Sequence, residues 1–310
     1  MKKDIIKKAV KYMVDPGYRM LIHLGREEYN GIPDEKYLSL LFKGRFGRRL
    51  DLEEPKSFNE KLQWLKLYYR DPMYTVMADK YRVREYIERA IGGEYLIPLL
   101  GVWDDAEDIP FDTLPDRFVL KCNHNSGKGM CICRDKRSLD IEKTKAELKE
   151  GLKEDYHLLW REWQYRDIPR RIICEEYLTD GTGSDELKDY KLFCFNGRVE
   201  FSYLCADRFK KGGLHLNVYD RNWEPMPFKT QYPSTDEPIP KPENYEKMIA
   251  LAEKLAKGIP LIRVDFYESN GRLYIGELTL CPGGGFDIYE PEEWDYKLGD
   301  MLTLPEKRMK

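Results

Sequence analysis

Apolar positions recur at helical spacing through the first ninety residues and at strand spacing after them. Residues 2–13 set Ile5, Ile6, Ala9, Val10 and Met13 on one stripe, with Lys3, Lys7, Lys8 and Lys11 around the other side, which predicts an amphipathic helix. Residues 34–70 keep the helical pattern, with Ser57 or Asn59 as a cap ahead of Glu60, Leu62, Trp64, Leu65 and Leu67. A third helix is predicted over 75–90, ended by Gly92-Gly93. Strands follow at 95–102, 117–123, 130–134 and 171–178, interrupted by a Lys- and Glu-rich helix over 138–163. The polar stretch 179–186, with two glycines, marks the main boundary. Beyond it, 189–195 and 198–205 read as a hairpin across Asn196-Gly197, strands continue through 214–219, and a helix over 243–257 leads into a last hairpin.

That last hairpin, 263–285, carries the densest chemistry. Val264, Phe266, Tyr274, Leu278 and Leu280 fall on one parity, while Arg263, Asp265, Glu277 and Thr279 fall on the other. Whether Asp265 and Glu277 share a face depends on the turn. A two-residue Asn270-Gly271 turn puts them on opposite faces; a three-residue loop, Ser269 to Gly271, closed by a left-handed glycine, puts Arg263 opposite Glu277 with Asp265 diagonal to it. The three-residue loop is the expectation taken forward. Two carboxylates in a row repel unless a cation sits between them, and hard oxygen donors suit magnesium with nucleotide phosphate completing its shell. The alternative is a solvated face with ordinary surface charges.

A second cluster lies upstream. Lys121 stands on the opposite parity from Phe118, Leu120 and Cys122, and a lysine inside an apolar strand is costly to bury unpaired, so it is expected to point at an anion. The loop that follows, His124 to Gly129, has two glycines, a hydroxyl and Lys128, and its main-chain amides suit a phosphate. It is not the Walker pattern, which runs into a helix.

With 42% hydrophobic and 35% charged residues over 310 positions, the composition is that of a soluble globular protein of about two domains. Net charge is -3, but the first 50 residues carry +6 and the remaining 260 carry -9. The basic end suits an anionic surface, including a membrane face; the remainder gives no support for nucleic acid. No apolar run reaches the length of a membrane helix and the N-terminus lacks a signal-peptide core, so the expected location is the cytosol. Seven cysteines without repeated spacing fit reduced, buried thiols; the alternative is a zinc site at Cys122, His124, Cys131 and Cys133.

The ordered series FNEKLQWLKLYYRD, DKYRVREYI, FVLKCNHNSG, DYKLFCFNG, RVDF and GELTLCPGG resembles the ATP-grasp superfamily, and within it the TupA-like branch linked to teichuronopeptide and other cell-surface polysaccharide synthesis. The resemblance covers about residues 57–300. It implies an α+β fold in which two lobes with antiparallel sheets clamp ATP: a helical segment over 1–75, a lid lobe over 76–178 and a larger lobe with the metal site over 179–310. It further implies that Lys121 binds phosphate, that Ser126, Gly127, Lys128 and Gly129 form a mobile lid, and that Glu175, Glu176, Tyr177 and Leu178 line the adenine pocket. Asp265 and Glu277 would hold magnesium, with Thr279 where relatives usually have asparagine. Arg263, with Lys191, would steady the transferred phosphoryl charge. The second phosphate cation matches Arg84, with Lys80 as the alternative, and the ribose acid is Asp189 or Asp185. The customary N-terminal domain of alternating strands and helices is missing, so its part in substrate binding falls to 1–75 or to another chain.

The activity implied is ATP-dependent joining of a carboxylate and an amine through an acyl phosphate. A kinase acting on an alcohol and a nucleotide-binding protein without catalysis are the alternatives. A glycosyltransferase lacks its metal-diphosphate motif here.

Overall fold

A computed structural model of the chain describes residues 12–180, 187–206, 213–235 and 239–309. The predicted basic helix lies outside the described residues except for its last two positions, as do most of 179–186 and, with it, Asp185.

Helix α1, Pro16–Leu24, starts at Asp15, whose side chain accepts from the amide of Tyr18, with Pro16 in the first turn. Helix α2 covers Asp34–Phe46 and stops at Gly47, which takes the left-handed conformation. Ser57 then caps α3, Phe58–Tyr68, through a reciprocal box with Glu60. The single helix expected over 75–90 is two: α4, Met73–Ala78, and α5, Val83–Ile91. Asp79 breaks it. Its buried carboxylate accepts from the amide of Tyr81 and from Asn123 Nδ2, so the backbone turns there instead of continuing.

The first sheet holds β1, Leu99–Trp103, β2, Phe118–Cys122, β3, Met130–Cys133, and β4, Ile172–Glu176, in the order β1-β4-β2-β3 with antiparallel neighbours. Phe118, Leu120, Ile172 and Cys174 pack one face against Leu148 of α6, Ile141–Leu152. The helix expected over 138–163 is thus shorter, followed by a one-turn α7, His157–Trp160; between them Glu154 and Asp155 turn out to Asn125 and Arg170. Cys122 and Cys133 donate to the carbonyls of Leu148 and Asp116, packing as small hydrophobes.

The second sheet, in the order β7-β6-β5-β8-β9, is built from β5, Asp189–Phe195, β6, Arg198–Ala206, β7, His215–Asp220, β8, Leu261–Ser269, and β9, Arg272–Thr279. Both faces are covered at its centre. Leu192, Cys194, Val264 and Phe266 join the cluster of α8, Tyr245–Leu255, while Phe193, Phe195 and Phe201 meet Phe58, Leu62 and Leu65 of α3. Leu298 of α9, Glu293–Met301, closes the second cluster. Lys191, Arg263 and Asp265 share the parity of Phe193, so the polar row lies on the α3 side.

The β8–β9 turn corrects the expectation. Ser269 pairs with Arg272, leaving Asn270 (φ 50°) and Gly271 (φ 73°) as a two-residue turn with both central residues left-handed. The parity is restored further along: Phe266 pairs with Ile275 and Asp265 with Glu277, so Gly276 is the extra residue of a bulge. Ile275 rather than Tyr274 consequently joins the core face, and Tyr274 stands opposite Tyr267.

Candidate active site

Three strands of the second sheet set the polar row. Lys191 on β5 stands opposite Asp265 on β8, Asp265 opposite Glu277 on β9, and Arg263 opposite Thr279. The Arg263 guanidinium grips both oxygens of Asp265 at 2.6 and 2.7 Å, donates to Thr279 Oγ1 at 2.9 Å and lies 3.5 Å from Glu277. Lys191 Nζ bridges Asp265 at 2.5 Å and Asp189 at 2.7 Å. Lys80, freed from a helix by the break at Asp79, lies 3.5 Å from Glu277 and donates to the carbonyl of Asn125 at 2.5 Å. The cation demanded between the two carboxylates is therefore supplied by the protein itself.

Burial works to raise Asp265, and Arg263 with Lys191 outweighs it, holding the carboxyl below its ordinary range. Glu277 behaves alike: burial pushes it up, and Lys80, aided by Arg263 and Lys191, brings it down. Both are ionised at neutral pH. Thr279 donates to Glu277 Oε2 at 3.3 Å. Asp265, Glu277 and Thr279 form an all-oxygen donor set suited to magnesium. Among the described residues no group of three or more histidine, cysteine or acidic side chains could hold a metal.

The first sheet carries a separate cluster. Lys121 reaches Glu175 at 2.6 Å, and Arg84 of α5 reaches the same carboxylate at 3.3 Å and the carbonyl of Ile97 at 2.8 Å. The anion at which Lys121 points is thus Glu175 itself. Glu176 is exposed, and Tyr177 lies 4.1 Å under the Arg117 guanidinium. Leu178 is half-buried just beyond β4. Of the two candidate cations, Lys80 meets the β9 carboxylate and Arg84 the β4 carboxylate.

The glycine loop divides into an anchored base and an open tip. His124 and Asn125 are buried, with Asn125 Nδ2 donating to Glu154 and to the carbonyl of Gly151. Gly129 (φ 65°) lies against Gly151, where a side chain would stand 2.7 Å from Cys122 Sγ. Ser126, Gly127 and Lys128 are exposed.

The polar row opens on a cavity of about 700 Å³ lined by Ser126, Lys191, Arg263, Glu277 and Thr279 on one side and by Tyr37 and Arg45 of α2 on another. Residues of the helical N-terminal segment thus line the same cavity as the polar row. Glu162 also lines this cavity, close to the buried Lys66 of α3, which donates to the carbonyls of Trp160 and Gly284 at 2.8 Å each. Sequence reasoning passed over both. The signal was there for Lys66, which sits between Leu65 and Leu67 much as Lys121 sits in its strand.

No curated protein matches the chain in sequence. Among solved structures, the fold is similar to the D-alanine–D-alanine ligase from Bacillus anthracis complexed with ATP, at 18% identity and TM-score 0.44, covering 74% of this chain and 66% of that one. It is similar also to the D-alanine–D-alanine ligase from Helicobacter pylori, at 15% identity and TM-score 0.43, covering 81% and 70%. A third is the N5-carboxyaminoimidazole ribonucleotide synthetase from Thermus thermophilus, at 14% identity and TM-score 0.38, covering 69% of this chain and 48% of that one. The chain thus spans about two thirds of the two ligases and half of the synthetase. The model of the family described as TupA-like ATPgrasp matches residues 60–303, from Glu60 of the capped helix α3 past both sheets and the polar row. The chain belongs to the TupA-like ATP-grasp family.

Proposed function

We propose that this chain is an ATP-dependent carboxylate–amine ligase that forms an amide through an acyl phosphate, with ATP and magnesium as cofactors. The observation that carries the reading is the opposed pair Asp265 and Glu277, flanked by Arg263 and Lys191, with Glu277, Arg263 and Lys191 on the wall of the 700 Å³ cavity. Asp265, Glu277 and Thr279 are the residues to hold magnesium, which when bound offsets the charge of the ATP phosphates. Arg263 and Lys191 steady the phosphoryl group as it passes to the substrate carboxylate. Lys121 and Arg84, with Lys80 as the alternative to Arg84, serve the phosphates, Ser126 to Gly129 close over them, Glu175 to Leu178 receive adenine, and Asp189 the ribose.

A glycan substrate fits the rest of the cavity. Tyr37, Tyr156, Trp160, Tyr165, Tyr203 and Phe286 line it, offering flat apolar faces beside polar edges, as a sugar ring requires. The carboxylate is then a uronic acid or an amino acid on a cell-surface polysaccharide precursor, in keeping with the resemblance of the motifs to the teichuronopeptide branch. None of the described helices is long and apolar enough to cross a membrane. The basic residues 2–13 are the proposed contact with an anionic membrane face, at its cytoplasmic side.

The test is ATP consumption with a panel of uronates and amino acids in the presence of hydroxylamine. Hydroxamate is the expected product. A stable phosphate ester instead would make the chain a kinase, and neither product a nucleotide-binding protein.

A further inference from the structure

Glu162 is 4% exposed and lines the cavity that holds Arg263, Glu277 and Thr279. Gln164 Nε2 donates to its Oε2 at 3.0 Å, and among the described residues no other hydrogen-bond donor reaches it and no lysine, arginine or histidine nitrogen lies within 4 Å. Lys66 lies near enough to offset part of the cost of burying this carboxylate but makes no ion pair with it, which leaves an oxygen open beside the cavity for a cation that arrives from outside. The backbone around it is fixed: Trp160 and Arg161 are tied by Lys66 and by the carbonyls of Tyr29 and Asn30.

Its surroundings favour an ammonium over a metal. Lys66 from α3, Tyr156 at the start of α7, Gln164 and Tyr165 from its own segment, Cys281 from the loop after β9, and Glu277 and Arg263 from the sheet are the groups whose charge or polarity it feels. Among the described residues Glu162 is part of no group of three or more acidic, histidine or cysteine side chains that could hold a metal, and its polar neighbours are the Gln164 amide and the Tyr156 and Tyr165 phenols, a neutral lining that suits an ammonium better than a hard cation. Burial pushes Glu162 upward, with Lys66 offsetting part of the shift, so its carboxyl is a better proton acceptor than an exposed glutamate.

Resting on the ligase reading above, we propose that Glu162 is the amine site of the reaction: it binds the ammonium of the second substrate and takes its first proton. The neutral nitrogen then forms the C–N bond to the acyl carbon of the acyl phosphate. The C–O bond to phosphate breaks with its electron pair going to phosphate, and the second N–H proton leaves with that group. The amide, phosphate and a protonated Glu162 balance the step.

Hydroxylamine separates this step from the one before it, because it is largely neutral at pH 7 and needs no base to capture an acyl phosphate. The experiment supplies ATP, magnesium and the uronate and amino-acid panel, with either hydroxylamine or one of glycine, L-alanine and ethanolamine as nucleophile, to wild type and to Glu162→Gln. The expected result is an amide-to-hydroxamate ratio at least tenfold lower in Glu162→Gln. Equal loss of both products, an unchanged ratio, or a wild type that makes hydroxamate but takes none of the amines overturns the proposal. Absence of hydroxamate from wild type overturns the ligase reading itself.

Discussion

Asp265 and Glu277 face each other across β8 and β9 although the turn between those strands has two residues, a length that by alternation alone would send them to opposite faces. Gly276 supplies the missing step. It is the bulge residue, and the Tyr267 ring lies so close that a Cβ there would stand 2.6 Å from it. Gly276→Ala is expected to lower stability by about 1–3 kcal/mol as the ring is displaced. Chemical denaturation of Gly276→Ala, Tyr267→Ala and the double variant tests this: the double variant should cost less than the two single changes added together. Full additivity would mean that the ring and the bulge are not coupled.

The tip of the glycine loop should exchange its amides freely while the base does not. Ser126, Gly127 and Lys128 bury little, whereas Asn125 is held by Gly151 and Glu154 and receives Lys80 on its carbonyl. Hydrogen exchange with and without ATP is expected to show protection gained at 126–128 and little change at 124–125. Equal protection of the tip in both states would count against a lid.

His124 makes the fold acid-sensitive. Burial first, then Arg170 and Lys80, lower its pKa to about 4, its Nε2 reaches the carbonyl of Glu154 at 3.2 Å, and its Nδ1 is buried with no partner among the described residues. In the unfolded chain the imidazole titrates near 6.5, so between these values the unfolded state binds more protons. The contribution is fully present above pH 6.5 and is lost as pH falls through about 4. Melting temperatures across that window should fall for wild type and fall less steeply for His124→Gln. Parallel curves would place the acid sensitivity elsewhere.

Much of this architecture was legible in residue patterns. The Ser57 and Glu60 box, the parity of Lys121 and the hairpin over 189–205 all follow from local rules that the packing obeys. The face shared by Asp265 and Glu277 was inferred correctly through the wrong device, because a glycine inside a strand signals a bulge only weakly and the Asn-Gly pair invited the irregularity into the turn. The break at Asp79 depends on Asn123, 44 positions away, and no local periodicity encodes such a contact. Glu162 was hidden for the same reason: its place on the cavity wall, near Lys66 but without an ion pair to it, is a property of the folded chain.

The central claim is that the Asp265–Glu277 pair serves phosphoryl transfer, and Glu277→Gln tests it most directly because shape is kept and one charge is removed. ATP binding by calorimetry and ADP release with the identified carboxylate are to be measured on the same preparation. The account predicts turnover lower by about a hundredfold or more, on the scale of a lost transition-state contact of roughly 3 kcal/mol, with a much smaller fall in ATP affinity. Near-normal turnover, with a stability change under about 0.5 kcal/mol, would contradict it.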